Sequence, residues 1–363
     1  MENEALAMVF EKVGQPFSPM SIQLPELGKG EILVKIAYTT ICSSDLHTFY
    51  GRRCGHTGIL GHEIMGHVVG TAKEGVTDFS GEAIKIGDRV TWSVYAYDPT
   101  DKMARMGIPQ KSKSLFKYGH EKLNEKKELS GGFATHCLLK AGTSIFKLPD
   151  NITVKEAAPL NCTHATIAGA MRLAENLENK NVGIMGVGML GLSACAMAKE
   201  KGAKKVIAMD IAEKRLQYST QFGADITIRT DNPFNTLLEM VSENGGLDVI
   251  VDTSGIPSAI EMAIKMLNIG GTCVLVGSTF QQKDFSVNAE TIVRNLLTIK
   301  GLHNYIPEDL GQAISFVSKF RTKYPFADLV GEEYPLSELD RAFEVAEKGQ
   351  HYRLGISLST KDQ

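Results

Sequence analysis

Residues 41–66 read ICSSDLHTFYGRRCGHTGILGHEIMG, with a cysteine, a serine, an aspartate and a histidine within six residues and a Gly-His-Glu turn further on. A catalytic zinc takes three protein ligands from Cys, His and carboxylate and leaves a fourth position open. Cys42 and His62 can supply two ligands, and Glu63 is either an alternative ligand or a base behind the metal. The third ligand must come from elsewhere, and Cys162 is the best candidate. An isolated Cys–His pair would be weak support, because free cysteines are usually small core residues.

Length and composition favour a soluble protein of two domains. A chain of 363 residues is too long for one ordinary core. Its hydrophobic content of 43% and net charge of -3 give no reason to expect nucleic acid or an anionic membrane as a partner. The N-terminus MENEALAMVF lacks the features of a signal peptide, and no apolar run could span a bilayer, so we expect a cytoplasmic protein. Six scattered cysteines are expected to be reduced thiols.

From Leu6 to about Asp150 the sequence has the pattern of a compact, barrel-like β-domain. Short apolar runs alternate with glycine and proline turns, as in EILVKIAYTT, EIMGHVVGTA, GDRVTWSVYA and GGFATHCLLK. Between 95 and 130 a polar, lysine-rich stretch predicts a long excursion from the barrel. We expect its lysines, at positions 111, 113, 117, 122, 126 and 127, to form a solvated face.

From near Pro149, strands alternate with helices, which predicts a parallel sheet covered on both faces and an α/β fold class. The stretch EAAPLNCTHATIAGAMRLAE reads as one helix, NVGIMGV as a strand, MLGLSACAMAKEKGA as a helix and KKVIAMD as the next strand. The tail, 302–363, contains one more amphipathic helix and is expected to return to the first domain.

The run GIMGVGMLG places Gly186, Gly188 and Gly191 in a G-x-G-x-x-G pattern between an apolar strand and an alanine-rich helix. Such glycines let the backbone approach a pyrophosphate at the helix N-terminus, where free N–H groups favour an anion. Asp210 closes the next strand and would hydrogen-bond the ribose hydroxyls. Because its charge would repel a 2′-phosphate, the pattern predicts NAD rather than NADP.

Both motifs together make the chain resemble the zinc-dependent medium-chain alcohol dehydrogenases over nearly its whole length. The residues that carry the resemblance are Cys42-Ser43-Ser44-Asp45, His47, Gly61-His62-Glu63, Gly87-Asp88-Arg89-Val90, Cys162, the glycine run, Asp210-Ile211 and Lys300-Gly301. The resemblance implies a GroES-like β-barrel catalytic domain, 1–155 completed by 302–363, and a Rossmann nucleotide-binding domain with a doubly wound parallel sheet, 156–301. The motifs GRR with LGHE, PQKSKSLFKYGHE and GLHNY also resemble the subgroup associated with phosphonate catabolism.

The resemblance implies a role for each matching residue of the first motif. One zinc would be held by Cys42, His62 and Cys162. Ser44 would take the substrate hydroxyl proton and pass it through the cofactor ribose to His47. Asp45 would orient His62, as carboxylates behind a metal-ligating histidine do. Glu63 would lie behind the metal and ligate it transiently.

The resemblance also implies cofactor contacts outside the glycine run. His303 and Asn304 fall where the backbone of the family meets the nicotinamide carboxamide. Arg215 and Arg353 are candidates for contacts with the adenosine and the pyrophosphate. The alternative for either arginine is ordinary solvation at the surface.

One part of the family pattern is missing. Many relatives bind a second, structural zinc through four cysteines in the long lobe, whereas this chain has no cysteine between Cys54 and Cys137. The aligned positions are Asp98, Asp101, Ala104 and Ser112. Because a closed structural site needs four good ligands, we predict one zinc per subunit.

Four residues are candidates for substrate binding. Arg53 and Arg52 follow the relay histidine, and a guanidinium matches phosphate or phosphonate oxygens bidentately; the alternative is a solvated turn. Trp92 and Tyr50 could shape the pocket or cage a quaternary ammonium, with core packing as the alternative for the tryptophan. Other candidates are set aside: Cys54 and His56 as incidental, and His120, His136 and His164 as structural or exposed.

We therefore expect a homo-oligomeric enzyme that transfers hydride from a small alcohol to NAD. The preferred substrate is a hydroxylated phosphonate, such as a 1-hydroxy-2-(amino or trimethylamino)ethylphosphonate. The alternatives are a general alcohol or polyol dehydrogenase, a zinc-free quinone or enoyl reductase, and a non-catalytic NAD-binding protein. The strand GGTCVLVGS is the expected pairing edge between subunits.

Overall fold

The computed structural model describes residues 3–125 and 128–358, so the predicted surface lysines 126 and 127 lie outside the described residues. The chain forms two units. The first comprises Met1–Cys162, Ile306–Arg321 and Phe326–Gln363, and the second comprises Thr163–Tyr305 and Thr322–Pro325. Cys162, which the predicted boundaries place in the nucleotide-binding domain, falls in the first unit with Cys42 and His62.

The first unit begins with a series of strands. Its elements up to Cys162 are β1 (Glu4–Phe10), β2 (Ser18–Gln23), β3 (Ile32–Thr40), α1 (Ser43–Phe49), β4 (Gly58–Ile59), β5 (Glu63–Thr71), β6 (Arg89–Ala96), α2 (Lys102–Arg105), β7 (Phe116–Lys117), β8 (His136–Leu139), β9 (Thr143–Lys147) and α3 (Val154–Ala157). The four apolar runs singled out in the sequence contain β3, β5, β6 and β8, because β-branched and aromatic residues favour a pleated, buried surface.

The second unit alternates helices and strands. Its elements are α4 (Thr163–Leu173), β10 (Asn181–Met185), α5 (Met189–Glu200), β11 (Lys205–Asp210), α6 (Glu213–Ser219), β12 (Ile226–Arg229), α7 (Phe234–Glu243), β13 (Leu247–Asp252), α8 (Pro257–Lys265), β14 (Leu267–Leu275), α9 (Ala289–Arg294) and β15 (Thr298–Gly301). All neighbouring strands are parallel, in the order β12-β11-β10-β13-β14-β15. This is the Rossmann order. Because β14 lies between β13 and β15, the predicted pairing edge GGTCVLVGS is wrong, and β15 is the edge strand on that side.

The tail belongs mainly to the first unit, with Ile306–Arg321 and Phe326–Gln363. It forms α10 (Pro307–Phe320), β16 (Val330–Pro335), α11 (Leu339–Glu347) and β17 (Arg353–Ser357). Strand β17 pairs antiparallel with β3, which gives the order β16-β17-β3-β5-β6-β7, with β8 on β3 and β9 on β6. A second sheet has the order β2-β1-β4. Strand β17 therefore lies directly beside the strand that leads to the first sequence motif.

The single helix predicted over 156–175 is wrong. Helix α3 ends at Ala157, a 3₁₀ turn follows, and α4 begins only at Thr163. Pro159 lies in the turn, where its missing N–H and its ring oppose continuation of an α-helix. Cys162 itself has φ -127° and ψ -78°, outside helical geometry. The break turns the cysteine away from a helix surface and into the first unit.

The excursion between β6 and β7 is held by hydrogen bonds. The Asp101 carboxylate accepts the Met103 N–H at 2.7 Å and the Lys113 N–H at 3.2 Å, which joins the start of α2 to the chain that enters β7. These bonds hold the pKa of Asp101 below its ordinary value. Among the described residues no helix is both long enough and apolar enough to cross a lipid bilayer.

Candidate active site

The register of β3 against β5 brings the first two ligand candidates together. Thr40, the last residue of β3, pairs with Glu63, the first residue of β5. Cys42 follows β3 at the N-cap of α1, and His62 immediately precedes β5. Because the strands are antiparallel, both side chains lie at the same end of the sheet. Cys162 lies at the end of the turn between α3 and α4, and its side chain is at this same end of the sheet.

These residues form one cluster of metal-ligand atoms. One ligand atom from each of Cys42, His62, Glu63 and Cys162 lies within 4.8 Å of all the others. Three of the four side chains are buried, and Cys162 is half-buried. Two thiols, one imidazole and one carboxylate, gathered out of water, form a donor set that suits zinc. The residues present therefore fit the predicted zinc.

Asp45 fixes the orientation of His62. Its buried carboxylate accepts the Cys42 N–H at 2.9 Å and the Gly61 N–H at 3.3 Å, and its Oδ1 lies 3.3 Å from His62 Nδ1. This leaves His62 Nε2 directed at the ligand cluster. A carboxylate that holds the second nitrogen of a ligating imidazole fixes the tautomer and makes the ligand more basic.

A buried ion pair stands behind the cluster. Arg353 donates from Nε to Glu63 Oε2 at 2.8 Å and from Nη2 to Glu63 Oε1 at 2.9 Å. Thr40 Oγ1 donates to the same carboxylate at 2.5 Å, and Arg353 Nη2 lies 3.4 Å from Cys42 Sγ. Burial acts to lower the pKa of Arg353, but the Glu63 charge outweighs it and the pKa is raised. The guanidinium thus neutralises Glu63 and adds positive charge beside the first thiol.

The charges and hydrogen bonds of the cluster favour the thiolate form of Cys42. A hydrogen bond from the Cys162 thiol holds the pKa of Cys42 well below its ordinary value, against the effect of burial, and the same contact raises the pKa of Cys162. Burial acts to lower the pKa of His62, but the charges of Asp45 and Cys42 raise it overall. Since a metal binds the thiolate, the site already stabilises one ligand in the form that binding requires.

Helix α1 carries the two residues of the predicted proton relay. Ser44 Oγ lies 3.4 Å from His62 Nε2, so its hydroxyl borders the ligand cluster. His47 is half-buried three residues later on the same helix face. Burial and, next, the positive charge of Arg52 lower the pKa of His47. His47 is therefore a neutral imidazole near neutral pH and can accept a proton.

The glycine run forms a tight turn before α5. Gly186 has φ +83°, a conformation that favours glycine. A Cβ on Gly191 would lie 2.0 Å from the Gly186 carbonyl oxygen, whereas a Cβ on Gly188 would meet no atom within 4 Å. The turn is therefore closed on one side by backbone contact and open at Gly188, as a cradle for a phosphate group at a helix N-terminus requires.

Asp210 is buried at the end of β11 and supports this turn. Its carboxylate accepts the Val187 N–H and the Ala212 N–H, each at 2.8 Å. Arg215 is exposed on α6, and Asn304 has φ +58° in the segment after β15. The contacts predicted for Asp210, Arg215, His303 and Asn304 with a dinucleotide stay predictions.

Two family models match the chain. The model described as "Alcohol dehydrogenase GroES-like domain" matches residues 28–150, and the model described as "Zinc-binding dehydrogenase" matches residues 189–319. The chain belongs to the zinc-binding medium-chain alcohol dehydrogenases. Two cysteines and one histidine are the ligand set for which alcohol dehydrogenase is itself a standard example.

Individual proteins of this kind are similar to the chain over nearly its whole length. An alcohol dehydrogenase from Geobacillus stearothermophilus is 29% identical over 356 residues, which are 95% of this chain and 96% of the relative. An L-threonine 3-dehydrogenase from Francisella tularensis is 29% identical over 342 residues, 90% of this chain and 92% of the relative. The crystal structure of an alcohol dehydrogenase from Thermotoga maritima has a TM-score of 0.92 at 25% identity and covers 98% of this chain and 99% of its own. The predicted fold class and the prediction of a zinc- and NAD-dependent enzyme are confirmed at the level of the family.

In this dehydrogenase, the structure contradicts one predicted substrate contact. Trp92 is fully buried in the barrel core, where its ring makes an edge contact with Tyr118. The pocket role predicted for Trp92 is therefore wrong, and core packing, the alternative, is correct. The reason is that its side chain lies on the face of β6 that packs into the barrel core, with Ile36 and Ile64.

The two arginines of the GRR turn have different surroundings. Arg52 is exposed, forms an ion pair with Glu347 at 2.6 Å and lies over the Tyr50 ring at 5.4 Å. Tyr50 is half-buried and its hydroxyl donates to the Phe343 carbonyl at 3.4 Å. Arg53 is half-buried and its side chain lines a cavity. The sequence does not distinguish the two arginines, because the difference comes from α11, far away in the chain.

Sequence reasoning missed His120. Its ring lies 5.1 Å from the ring of His62, with an angle of 30° between the planes. A Cβ on Gly119 would lie 2.4 Å from the Gly61 carbonyl oxygen, so the two turns are in direct contact. One signal was available: Gly-His-Glu occurs twice, at 61–63 and at 119–121. The second copy packs on the first and brings a second imidazole to the metal site.

Proposed function

We propose that this protein oxidises an alcohol with NAD at the cluster formed by Cys42, His62 and Cys162, which would hold the zinc. The observation that carries the proposal is the convergence of these ligand atoms within 4.8 Å, with Asp45 placed against His62 Nδ1. Bound there, zinc would supply Lewis acidity that lowers the pKa of a hydroxyl by several units. Glu63 is engaged by Arg353 and would adjust the charge behind the ligands.

The protein's own residues then have to remove the hydroxyl proton. Ser44 Oγ would accept the proton at the edge of the cluster, and His47, one helical turn further, would pass it toward solvent. Asp45 would keep His62 in one tautomer throughout. Gly188 and the N-terminus of α5 would hold the pyrophosphate of NAD, and Arg215, His303 and Asn304 are proposed as further cofactor contacts. Arg353, the other predicted pyrophosphate contact, is instead buried and donates to Glu63 and to the Tyr352 carbonyl.

The test is NADH formation by the purified, zinc-analysed protein over a panel of hydroxyphosphonates, polyols and simple alcohols. The proposal predicts NADH formation with at least one alcohol, abolished by a zinc chelator. Turnover that persists without zinc would support the quinone or enoyl reductase alternative. Zinc and NAD binding without turnover of any panel member would support a non-catalytic protein.

For the substrate, we propose a hydroxylated phosphonate, such as a 1-hydroxy-2-(amino or trimethylamino)ethylphosphonate. Support comes from the sequence motifs that resemble the phosphonate-associated subgroup and from Arg53, which lines a cavity with His120, the residue packed against His62. A general alcohol is the second candidate, since the matched relatives are named for alcohol and threonine oxidation. The homo-oligomeric state and the cytoplasmic location stay predictions.

The pH dependence of the reaction is expected to report His47. A proton acceptor must be neutral, and the pKa of His47 is lowered from its ordinary value of 6.5. The kcat/KM is therefore expected to persist as pH falls through 6.5 and to decline only below it. Because the charge of Arg52 contributes to the lowering, Arg52→Ala is expected to move this decline to higher pH. An acid limb that stays in place in both Arg52→Ala and His47→Gln would exclude His47 as the acceptor.

The choice of NAD over NADP is expected to depend on the charge of Asp210. Asp210→Asn keeps an acceptor for the Val187 N–H but removes the repulsion of a 2′-phosphate, and the preference for NAD should fall by about tenfold or more. The measurement is the ratio of kcat/KM for the two cofactors. Asp231→Asn, at an exposed aspartate of the same unit, is the control and should leave the ratio unchanged. An unchanged ratio in Asp210→Asn would contradict the assignment.

A further inference from the structure

A cavity in the first unit adjoins the proposed zinc site. Its volume is about 160 Å³, and its lining includes Thr48, Arg53, His56, Leu60 and His120. Two of these residues connect it to the metal ligands. The ring of His120 packs at 5.1 Å from that of His62, and Thr48 Oγ1 donates to the Ser44 carbonyl at 3.1 Å. Two lining residues of the cavity are therefore in direct contact with the ligand candidate His62 and with Ser44.

Arg53 brings an uncompensated positive charge to this cavity. Its backbone N–H donates to the His47 carbonyl at 2.9 Å, but within residues 3–125 and 128–358 its guanidinium makes no hydrogen bond or ion pair. Its neighbour Arg52, by contrast, is neutralised by Glu347 at 2.6 Å. A half-buried guanidinium without an acid loses hydration and gains no partner, which is unfavourable unless a ligand supplies the anion.

Two more basic side chains are close to the same place. His120 lines the cavity together with Arg53, and its backbone N–H donates to the Lys117 carbonyl at 3.1 Å. The pKa of Lys117 is lowered by burial and by the charges of Lys111 and Arg53, with Glu121 acting in the opposite direction. The Glu121 carboxylate also accepts the Lys117 backbone N–H at 2.7 Å. Lys117, predicted to lie on a solvated face, is in fact half-buried, and it adds to the positive potential around Arg53.

We propose that this cavity is the anion subsite of the active site, in which Arg53 binds the anionic end of the substrate and Lys117 and a ring N–H of His120 assist. The substrate class is a small alcohol that carries a phosphonate, phosphate, sulfonate or carboxylate group. A guanidinium can hold two oxygens of such a group at once, which fixes its orientation as well as its charge. This inference rests on the proposed function and assigns its specificity to one arginine of the two.

The test compares a hydroxyalkylphosphonate with its neutral dimethyl ester, at a pH above the acid limb of His47. The wild type should prefer the anion. Arg53→Ala should lower kcat/KM for the anion by about 100-fold, mainly through KM, because two charge-assisted hydrogen bonds are lost. The ester should respond little. Arg53→Lys should recover part of the loss, and Arg52→Ala, the matched control, should leave the anion-to-ester ratio unchanged.

A binding measurement separates the subsite from the reaction. Calorimetry with methylphosphonate, sulfate and acetate on the zinc-loaded protein should show binding of at least one anion, lost in Arg53→Ala and kept in Arg52→Ala. If no alcohol is oxidised but this pattern holds, the proposed function fails and the subsite stands. If alcohols are oxidised and Arg53→Ala changes neither the anion-to-ester ratio nor anion binding, the subsite is refuted and the function stands.

Discussion

Replacing His62 with alanine is expected to abolish zinc binding and to lower kcat/KM by at least about 1000-fold. A Lewis acid lowers the activation barrier by several kcal/mol, and this lowering would be lost with the zinc. The physical reason lies in the geometry around Asp45. Its carboxylate is buried against His62 Nδ1 at 3.3 Å, so the loss of the ring removes the ligand and leaves Asp45 without the group that it orients. The measurements are zinc content per chain and NADH formation.

His67 provides the matched control for this variant. It lies on the same strand, β5, but its side chain is exposed and outside the ligand cluster. His67→Ala should keep the full zinc content and kcat/KM within about twofold, as is usual for a surface substitution. If His62→Ala retained zinc and activity at the level of His67→Ala, the proposed ligand set would be wrong.

Arg353→Met is expected to cost about 3–5 kcal/mol of unfolding free energy, because it leaves the Glu63 charge buried without a counter-charge. Both residues are almost fully buried, and the pair is bidentate at 2.8 and 2.9 Å. The loss of positive charge beside Cys42 should also weaken zinc binding. Urea unfolding of the zinc-loaded protein measures the first effect, and competition with a chelator measures the second.

A second substitution distinguishes the buried charge from lost packing. Adding Glu63→Gln to Arg353→Met removes the unpaired charge and should restore part of the stability. The exposed pair offers a comparison: Arg52→Met breaks its contact with Glu347 and should cost less than about 1 kcal/mol. If Arg353→Met were no more destabilising than Arg52→Met, the ion pair would not be the stabilising contact described above.

Much of the fold could be predicted because local signals agreed with the global structure. The β-branched run 32–40 is a buried strand, the glycine run 186–191 is a strand-to-helix turn, and the helix predicted after it is α5. The three ligand residues could be chosen because few side-chain types bind zinc. The first of them, Cys42, is also followed closely in the sequence by Ser44, Asp45 and His47. Periodicity and residue chemistry are both properties of the sequence itself.

The parts that could not be predicted depend on contacts between distant segments. Pro159 and the turn after α3 position Cys162, although the flanking apolar pattern reads as continuous helix. Trp92 packs in the barrel core because its side chain lies on the face of β6 that the core cluster covers. The neutralisation of Arg52 but not Arg53 depends on Glu347, which lies on α11. In each case a tertiary neighbour, absent from the local pattern, decides the outcome.

X-ray absorption at the zinc edge of the purified protein tests the central claim most directly. We expect one zinc per chain, with two sulfur ligands and at least one imidazole nitrogen, and the loss of one sulfur ligand or of the metal in Cys162→Ser. A protein that binds no zinc, or whose zinc environment is unchanged in Cys162→Ser, would contradict the account.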